Sequence, residues 1–253
     1  MHQPMLALLY RLARYGLLTA LLAGSALASS EKEFRVAVIG SSPPMSYIDE
    51  NGKLTGFNIE MGYALCEAMQ ARCDFQLVPL GKVVDTVAAG EMDFAVVSLL
   101  ATPERRKKVL FSKPYYRSLS IWLGKPELPP GSPKATAAAV TGSAQARYLE
   151  TVGWKMHTVA SHTEIPAALA AGKANAAVVP MLTALPLLHD DSVRSLGLES
   201  TILSDPRLTG DVCISINPKR VDLVERINSA IDQIKRDGRF DRINTKFLPF
   251  RLQ

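Results

Sequence analysis

From residue 34 onward, short apolar runs alternate with segments whose apolar residues recur every three or four positions. Phe34 to Ile39 is apolar and rich in β-favouring residues, which predicts a strand. Gly40 to Pro44 reads as a loop, and Asp49-Glu50-Asn51-Gly52 as a turn between strands. Phe57 to Gln70 places Ile59, Met61, Leu65, Ala68 and Met69 at helical spacing. Asp74 to Leu80 predicts a second strand, and Val83 to Ala89 a helix ended by Gly90. Phe94 to Leu99 is almost wholly apolar, as expected of a parallel strand buried on both faces. Phe34 to Leu100 is therefore a βαβαβ unit, enough for one three-layer lobe.

Past Tyr115-Tyr116 the pattern breaks at the Pro/Gly-rich, exposed stretch Pro126 to Pro133 and then resumes. Thr136 to Val140, Lys155 to Ala160 and Ala176 to Val179 read as strands, with helices from Ser143 and over Glu164 to Ala171. Cys213 to Ile216 is a further strand. Leu223 to Asp237 is an amphipathic helix with Leu223, Ile227, Ile231 and Ile234 on one face and Gly238 at its C-terminal end. The alternation makes the chain α/β.

The first 28 residues follow a different grammar. Arg11 and Arg14 precede a charge-free apolar run from Tyr15 to Leu27, and Ala26-Leu27-Ala28 fits a small-x-small cleavage site. The run is too short to span a bilayer. Residues 1–28 are thus expected to be a signal peptide, leaving about 225 residues to fold in an oxidising, exported environment. No cysteine stands at the cleavage point, so no lipid anchor is expected.

Charge narrows the partners. The chain carries +5 overall, and removing Arg11 and Arg14 leaves 27 − 24 = +3. The basic residues are scattered except for Arg105-Arg106-Lys107-Lys108, and few aromatics lie between them, so no nucleic-acid stripe is present. The four histidines are isolated and no Cys/His cluster has metal-ligand spacing, so no metal or cofactor is expected. Cys66 and Cys73 are seven apart and can close a local disulfide or remain two buried thiols, with Cys213 alone. There is no Gly-x-Ser-x-Gly and no Ser/His/Asp set, and Asp190-Asp191 reads as solvated.

In open α/β sheets, ligands collect at the carboxyl ends of strands, and three junctions qualify. They are Gly40 to Pro44, Ser98 to Arg105, and Val140 to Gln145. In the second, Thr102 is a natural N-cap and Pro103 suits the first helical turn. Arg105 then joins a guanidinium to free backbone N–H groups, a combination that suits a carboxylate. The same residues also fit a surface arginine paired with Glu104. In the third, Gly142-Ser143-Ala144 can offer N–H donors from a second lobe, or serve merely as a cap.

Several stretches together resemble the family 3 periplasmic solute-binding proteins, which deliver polar amino acids to ABC importers, the histidine- and lysine/arginine/ornithine-binding groups in particular. They are Asp49 to Glu60, Leu80 to Asp93, Thr102-Pro103-Glu104-Arg105, and Phe111-Ser112-Lys113-Pro114-Tyr115-Tyr116. The resemblance implies the type II two-lobed periplasmic binding protein fold, each lobe an open α/β sheet with helices on both faces. Lobe one would comprise residues 34–116 and 213–253, and lobe two residues 120–209, with hinge segments 117–119 and 210–212. It implies a Cys66–Cys73 disulfide, a monomer, a small-molecule ligand and an inner-membrane ABC permease as partner. It also assigns Arg105 to the ligand carboxylate, helped by the backbone N–H of Leu100 and Ala144 beside Ser143. The backbone carbonyl of Ser98 would face an α-ammonium, and Ser42 and Leu80 would occupy the places of aromatic walls.

The sequence departs from that pattern on one side of the ligand. Where an acid ordinarily meets the α-ammonium, the strand Ala176 to Val179 ends in Pro180. A hydroxyl expected near Leu100 is missing, and Asn58 stands where Asp is common. An unpaired ammonium in a closed site costs several kcal/mol, so the expected ligand has an anionic head and no obligatory ammonium. The alternatives are a sensor relative outside transport and, since cyclohexadienyl dehydratases resemble the same family, an enzyme of that type.

Overall fold

The computed structural model describes residues 33–252. The expected signal peptide, residues 1–28, lies outside the described residues.

The first lobe starts as its apolar spacing predicts. Strand β1 (Glu33–Val38) leads into a small antiparallel sheet of β2 (Ser41–Ser42), β3 (Ser46–Ile48) and β4 (Leu54–Thr55). The Asp49 carboxylate fixes the β3–β4 turn by accepting from the N–H groups of Asn51 at 3.0 Å and Lys53 at 2.9 Å. Helix α1 (Phe57–Ala68), β5 (Arg72–Leu77), α2 (Leu80–Ala89) and β6 (Phe94–Leu100) complete the βαβαβ unit. Leu80, expected to end a strand, instead opens α2. Pro79 has no N–H to continue the β5 ladder, and it occupies the N-cap of the helix.

A single-turn helix, α3 (Pro103–Arg106), then leads into β7 (Leu110–Ser118). The larger sheet runs β5-β1-β6-β13-β7, in which β13 (Gly210–Ile216) is antiparallel to both neighbours. Strand β7 is not predicted, because Pro114 breaks the pattern. It is tolerated because β7 is the edge strand and its pairing with β13 is irregular there.

The two-faced burial of β1 and β6 organises the lobe. Val36, Val38, Phe94 and Val96 pack with Leu223, Ile227, Ile231 and Phe240 of α8 (Val221–Arg236) and α9 (Arg239–Phe247). The alternate residues Ala37, Ala95, Val97 and Leu99 pack with Val83 and Val87 of α2. Cys66 of α1 and Cys73 of β5 form a disulfide that ties the helix end to the sheet edge. Closing so short a loop stabilises by about 2–3 kcal/mol in the chain-entropy account. Replacing both cysteines with Ala is expected to lower the melting temperature by about 5–10 °C, read by calorimetric unfolding.

The second five-stranded sheet begins at β8 (Ser120–Gly124), and the chain continues through β9 (Ala137–Val140), α4 (Ala144–Val152) and β10 (Met156–Val159). A 3-10 turn (His162–Glu164) runs into α5 (Ile165–Ala170), followed by β11 (Ala176–Pro180), α6 (Met181–His189), α7 (Asp191–Arg194) and β12 (Glu199–Leu203). This sheet runs β10-β9-β11-β8-β12. Ala138, Val140, Ala177 and Val179 face α5 and α6, while Ala137, Ala139, Ala176 and Val178 face α4. Helix α6 is not predicted because it contains Pro186.

Among the described residues the chain passes between the two larger sheets at Leu119 and between Leu203 and Gly210. Residues 117–118 and 210–211 are paired strand ends, with Arg117 opposite Asp211 and Ser118 opposite Gly210.

Candidate ligand-binding cleft

The eight residues singled out from the sequence, Ser42, Leu80, Ser98, Leu100, Arg105, Ser143, Ala144 and Pro180, all line one cavity of about 50 Å³. Five of them, Ser42, Leu80, Ser98, Leu100 and Arg105, belong to elements around the first sheet and three, Ser143, Ala144 and Pro180, to elements of the second, which explains how distant positions meet. Strand β6 contributes Ser98 and Leu100, and β11 contributes Pro180.

Arg105 is set by its local sequence. The Thr102 hydroxyl accepts from the Arg105 N–H at 3.4 Å, and Pro103 opens the turn. The side chain therefore folds back toward the end of β6, where Nη1 donates to the Leu100 carbonyl at 3.0 Å. Its Nη2 donates across the cleft to the Gly142 carbonyl at 3.1 Å. Two of five N–H groups are thus spent on neutral acceptors and three remain. No described carboxylate forms an ion pair with Arg105, so pairing with Glu104 is not what holds it. Burial draws its pKa down to about 10, partly offset by Glu104, and it remains a cation at neutral pH. A partly desolvated cation with spare donors and no ion-pair partner has the chemistry to hold an anion.

The opposite wall is the start of α4. The Ser143 hydroxyl caps the helix by accepting from the Ala146 N–H at 3.0 Å, leaving the Ala144 N–H at the cavity without a described acceptor. Gly142 adopts φ 76°, and an added Cβ would come within 2.3 Å of Gly81 Cα, so the lobes touch backbone to backbone there.

Ser98 has φ 58°, the left-handed region, where few non-glycine residues settle. A buried network holds it. Asn58 Nδ2 donates to the Ser98 hydroxyl at 2.8 Å, and Tyr115 O–H donates to Asn58 Oδ1 at 2.9 Å. Asn58 therefore acts behind the cavity wall, supplying hydrogen bonds without a negative charge.

Sequence reasoning missed Tyr116, His162 and Thr183, which also line the cavity. Gln145, the last residue of the Val140 to Gln145 junction, lines it too, and its Nε2 donates to the Ser120 hydroxyl at 2.8 Å. No local signal marks His162, because its neighbours become neighbours only when β2 and the 3-10 turn pack together. Burial pushes the His162 imidazole down to about 4. Between that value and the ordinary 6.5, the unfolded chain holds a proton that the folded chain does not. Stability therefore falls as pH drops through this window, by about 2–3 kcal/mol at pH 4.5 from this group. His162→Gln is expected to remove that part of the decline, seen by comparing denaturant unfolding of both proteins at pH 7 and 4.5. No group of His, Cys, Asp and Glu among the described residues is arranged to hold a metal.

Known proteins resemble this chain in sequence and in fold. The family of bacterial extracellular solute-binding proteins, family 3, matches residues 34–250. The arginine-binding periplasmic protein of Mannheimia haemolytica is 26% identical over 213 residues, covering 82% of this chain and 88% of that protein. The structure of a Salmonella typhimurium periplasmic binding protein with high arginine specificity superposes with a TM-score of 0.78 at 19% identity, over 86% of this chain and 99% of the other. An ancestral amino acid-binding protein, a precursor of cyclohexadienyl dehydratase, superposes at 0.73 with 22% identity, over 85% and 95%.

Proposed function

Since the chain belongs to the bacterial extracellular solute-binding proteins of family 3, we infer that it clamps a small carboxylate between two lobes and presents it to an inner-membrane ABC permease. In this reading lobe one is residues 34–116 with 213–253, lobe two is residues 120–209, and segments 117–119 and 210–212 are the hinge. The protein acts as a monomer in the periplasm, released from its signal peptide near Ala28. Arg105 grips the carboxylate, and the Ala144 N–H, the Ser143 junction and the end of β6 at Leu100 complete the anion site. Ser42, Leu80, Ser98 and Pro180 shape the remaining walls.

The observation that carries this reading is Arg105. It bridges Leu100 of one lobe and Gly142 of the other while no described acid neutralises it. An anion bound there adds charge-assisted contacts at the seam and so favours closure.

The ligand is an acid without an obligatory α-ammonium. No carboxylate lines the cavity among the described residues, and Pro180 ends β11 at the wall. Calorimetric titration with an L-amino acid and the matching acid lacking the amino group tests this. The deaminated acid is expected to bind more tightly, and tight binding of an ordinary L-amino acid would overturn it. The site is read as binding without turnover, since no acid–base pair of carboxyl groups faces the cavity.

A further inference from the structure

We infer that His162 is a specificity-determining residue that recognises a hydroxyl group on the ligand, so that the preferred ligands are short hydroxy-monocarboxylates. This rests on the carboxylate-binding reading of the same cavity and goes further into it.

His162 is 7% exposed, and its ring forms no hydrogen bond with any described residue. Among the described residues only Ser215 Oγ is a fully buried side-chain polar atom without a partner, so the His162 nitrogens keep contact with solvent and are free to pair with a group that enters the cavity. The position of the ring suits that role. It lines the inner cavity together with Arg105, and it also lines an outer groove of about 490 Å³ that includes Gly40, Leu77 and Glu164. It therefore stands where the inner cavity meets the open side of the cleft.

Chemistry selects the group it meets. The carboxylate nearest in sequence, Glu164, is already engaged, accepting from the Ala160 N–H at 3.2 Å and the Ser161 hydroxyl at 3.0 Å. An ammonium on the ligand would find no acid in the cavity, and a second carboxylate would bring a further charge that a ring kept neutral by burial does not offset. A neutral imidazole offers one donor and one acceptor. A hydroxyl, which both donates and accepts, pairs with it in either tautomer, whereas an alkyl chain leaves it unpaired.

Matched acids measure this directly. Purified protein is titrated with lactate against propionate, 3-hydroxybutyrate and 4-hydroxybutyrate against butyrate, and succinate as the doubly charged control. At least one hydroxy acid is expected to bind about tenfold or more tightly than its alkyl partner. His162→Leu is expected to shrink that advantage to about twofold, and His162→Gln, which keeps a donor and an acceptor, to retain most of it. The Gln variant carries the test if the Leu variant fails to fold. Equal affinity for hydroxy and alkyl acids, an advantage that survives in His162→Leu, a preference for succinate, or no binding of any acid overturns the assignment. Arg105→Ala separates the two levels. If acids still bind it as they bind the parent, the carboxylate anchor falls. If they are lost but the hydroxyl advantage never existed, only the role of His162 falls.

Discussion

Arg105→Ala is expected to weaken binding of a monocarboxylate by about a hundred- to nearly a thousandfold, the loss of about 3–4 kcal/mol from a bidentate charge-assisted pair. The unliganded protein should unfold within about 2 °C of the parent, because the side chain contributes little apolar packing and its charge is desolvated without a compensating acid. Calorimetric titration and thermal unfolding of the same preparation report both quantities. Arg105→Lys should recover only part of the affinity. One ammonium cannot hold the Leu100 and Gly142 carbonyls and also present two parallel donors to a carboxylate. A large fall in melting temperature with unchanged affinity would make Arg105 a structural residue.

Gly142→Ala is expected to be the strongest block to closure. The new Cβ would lie 2.3 Å from Gly81 Cα, and backbone atoms on both sides leave no rotamer to relieve the overlap. The lobes must then part locally, and the Arg105 contact to the Gly142 carbonyl is lost with them. Affinity should fall at least about tenfold, with a further stability cost of about 1–2 kcal/mol for an L-residue at positive φ. Two controls divide these effects. Gly153 has φ 71° with open space around it, so Gly153→Ala carries the strain without the wedge. Gly81→Ala meets the Thr141 carbonyl oxygen at 3.3 Å, a contact that a few tenths of an ångström relieve. Small-angle scattering on adding ligand should show contraction of the parent and of both controls, but not of Gly142→Ala.

How far the sequence reaches depends on how local the cause is. The βαβαβ unit is legible because β1 and β6 are buried on both faces, α1 over most of its surface and α2 on one face, which writes the pattern into neighbouring residues. The caps at Thr102, Ser143 and Gly90 are legible for the same reason, since each acts within a turn of its own position. Helix α9 carries Phe240, Ile243 and Phe247 at helical spacing among polar residues, a readable pattern that the wider reading passes over. Strand β7 and helix α6 escape because Pro114 and Pro186 argue against them locally, while sheet-edge position and packing decide otherwise.

By itself the sequence determined the α/β alternation, the resemblance to a solute-binding family, and the capped turn that carries Arg105. All three depend on residues close together in the chain, where spacing and side-chain chemistry act directly. Tertiary structure alone decided which groups surround that guanidinium. It brought Gly142 from the end of another sheet to accept its second N–H, left it without an ion pair among the described residues, and placed His162 at the mouth of the same cavity. Those neighbours lie up to about sixty residues away, and they meet only because two sheets, joined by two strand crossings, face each other across the cleft.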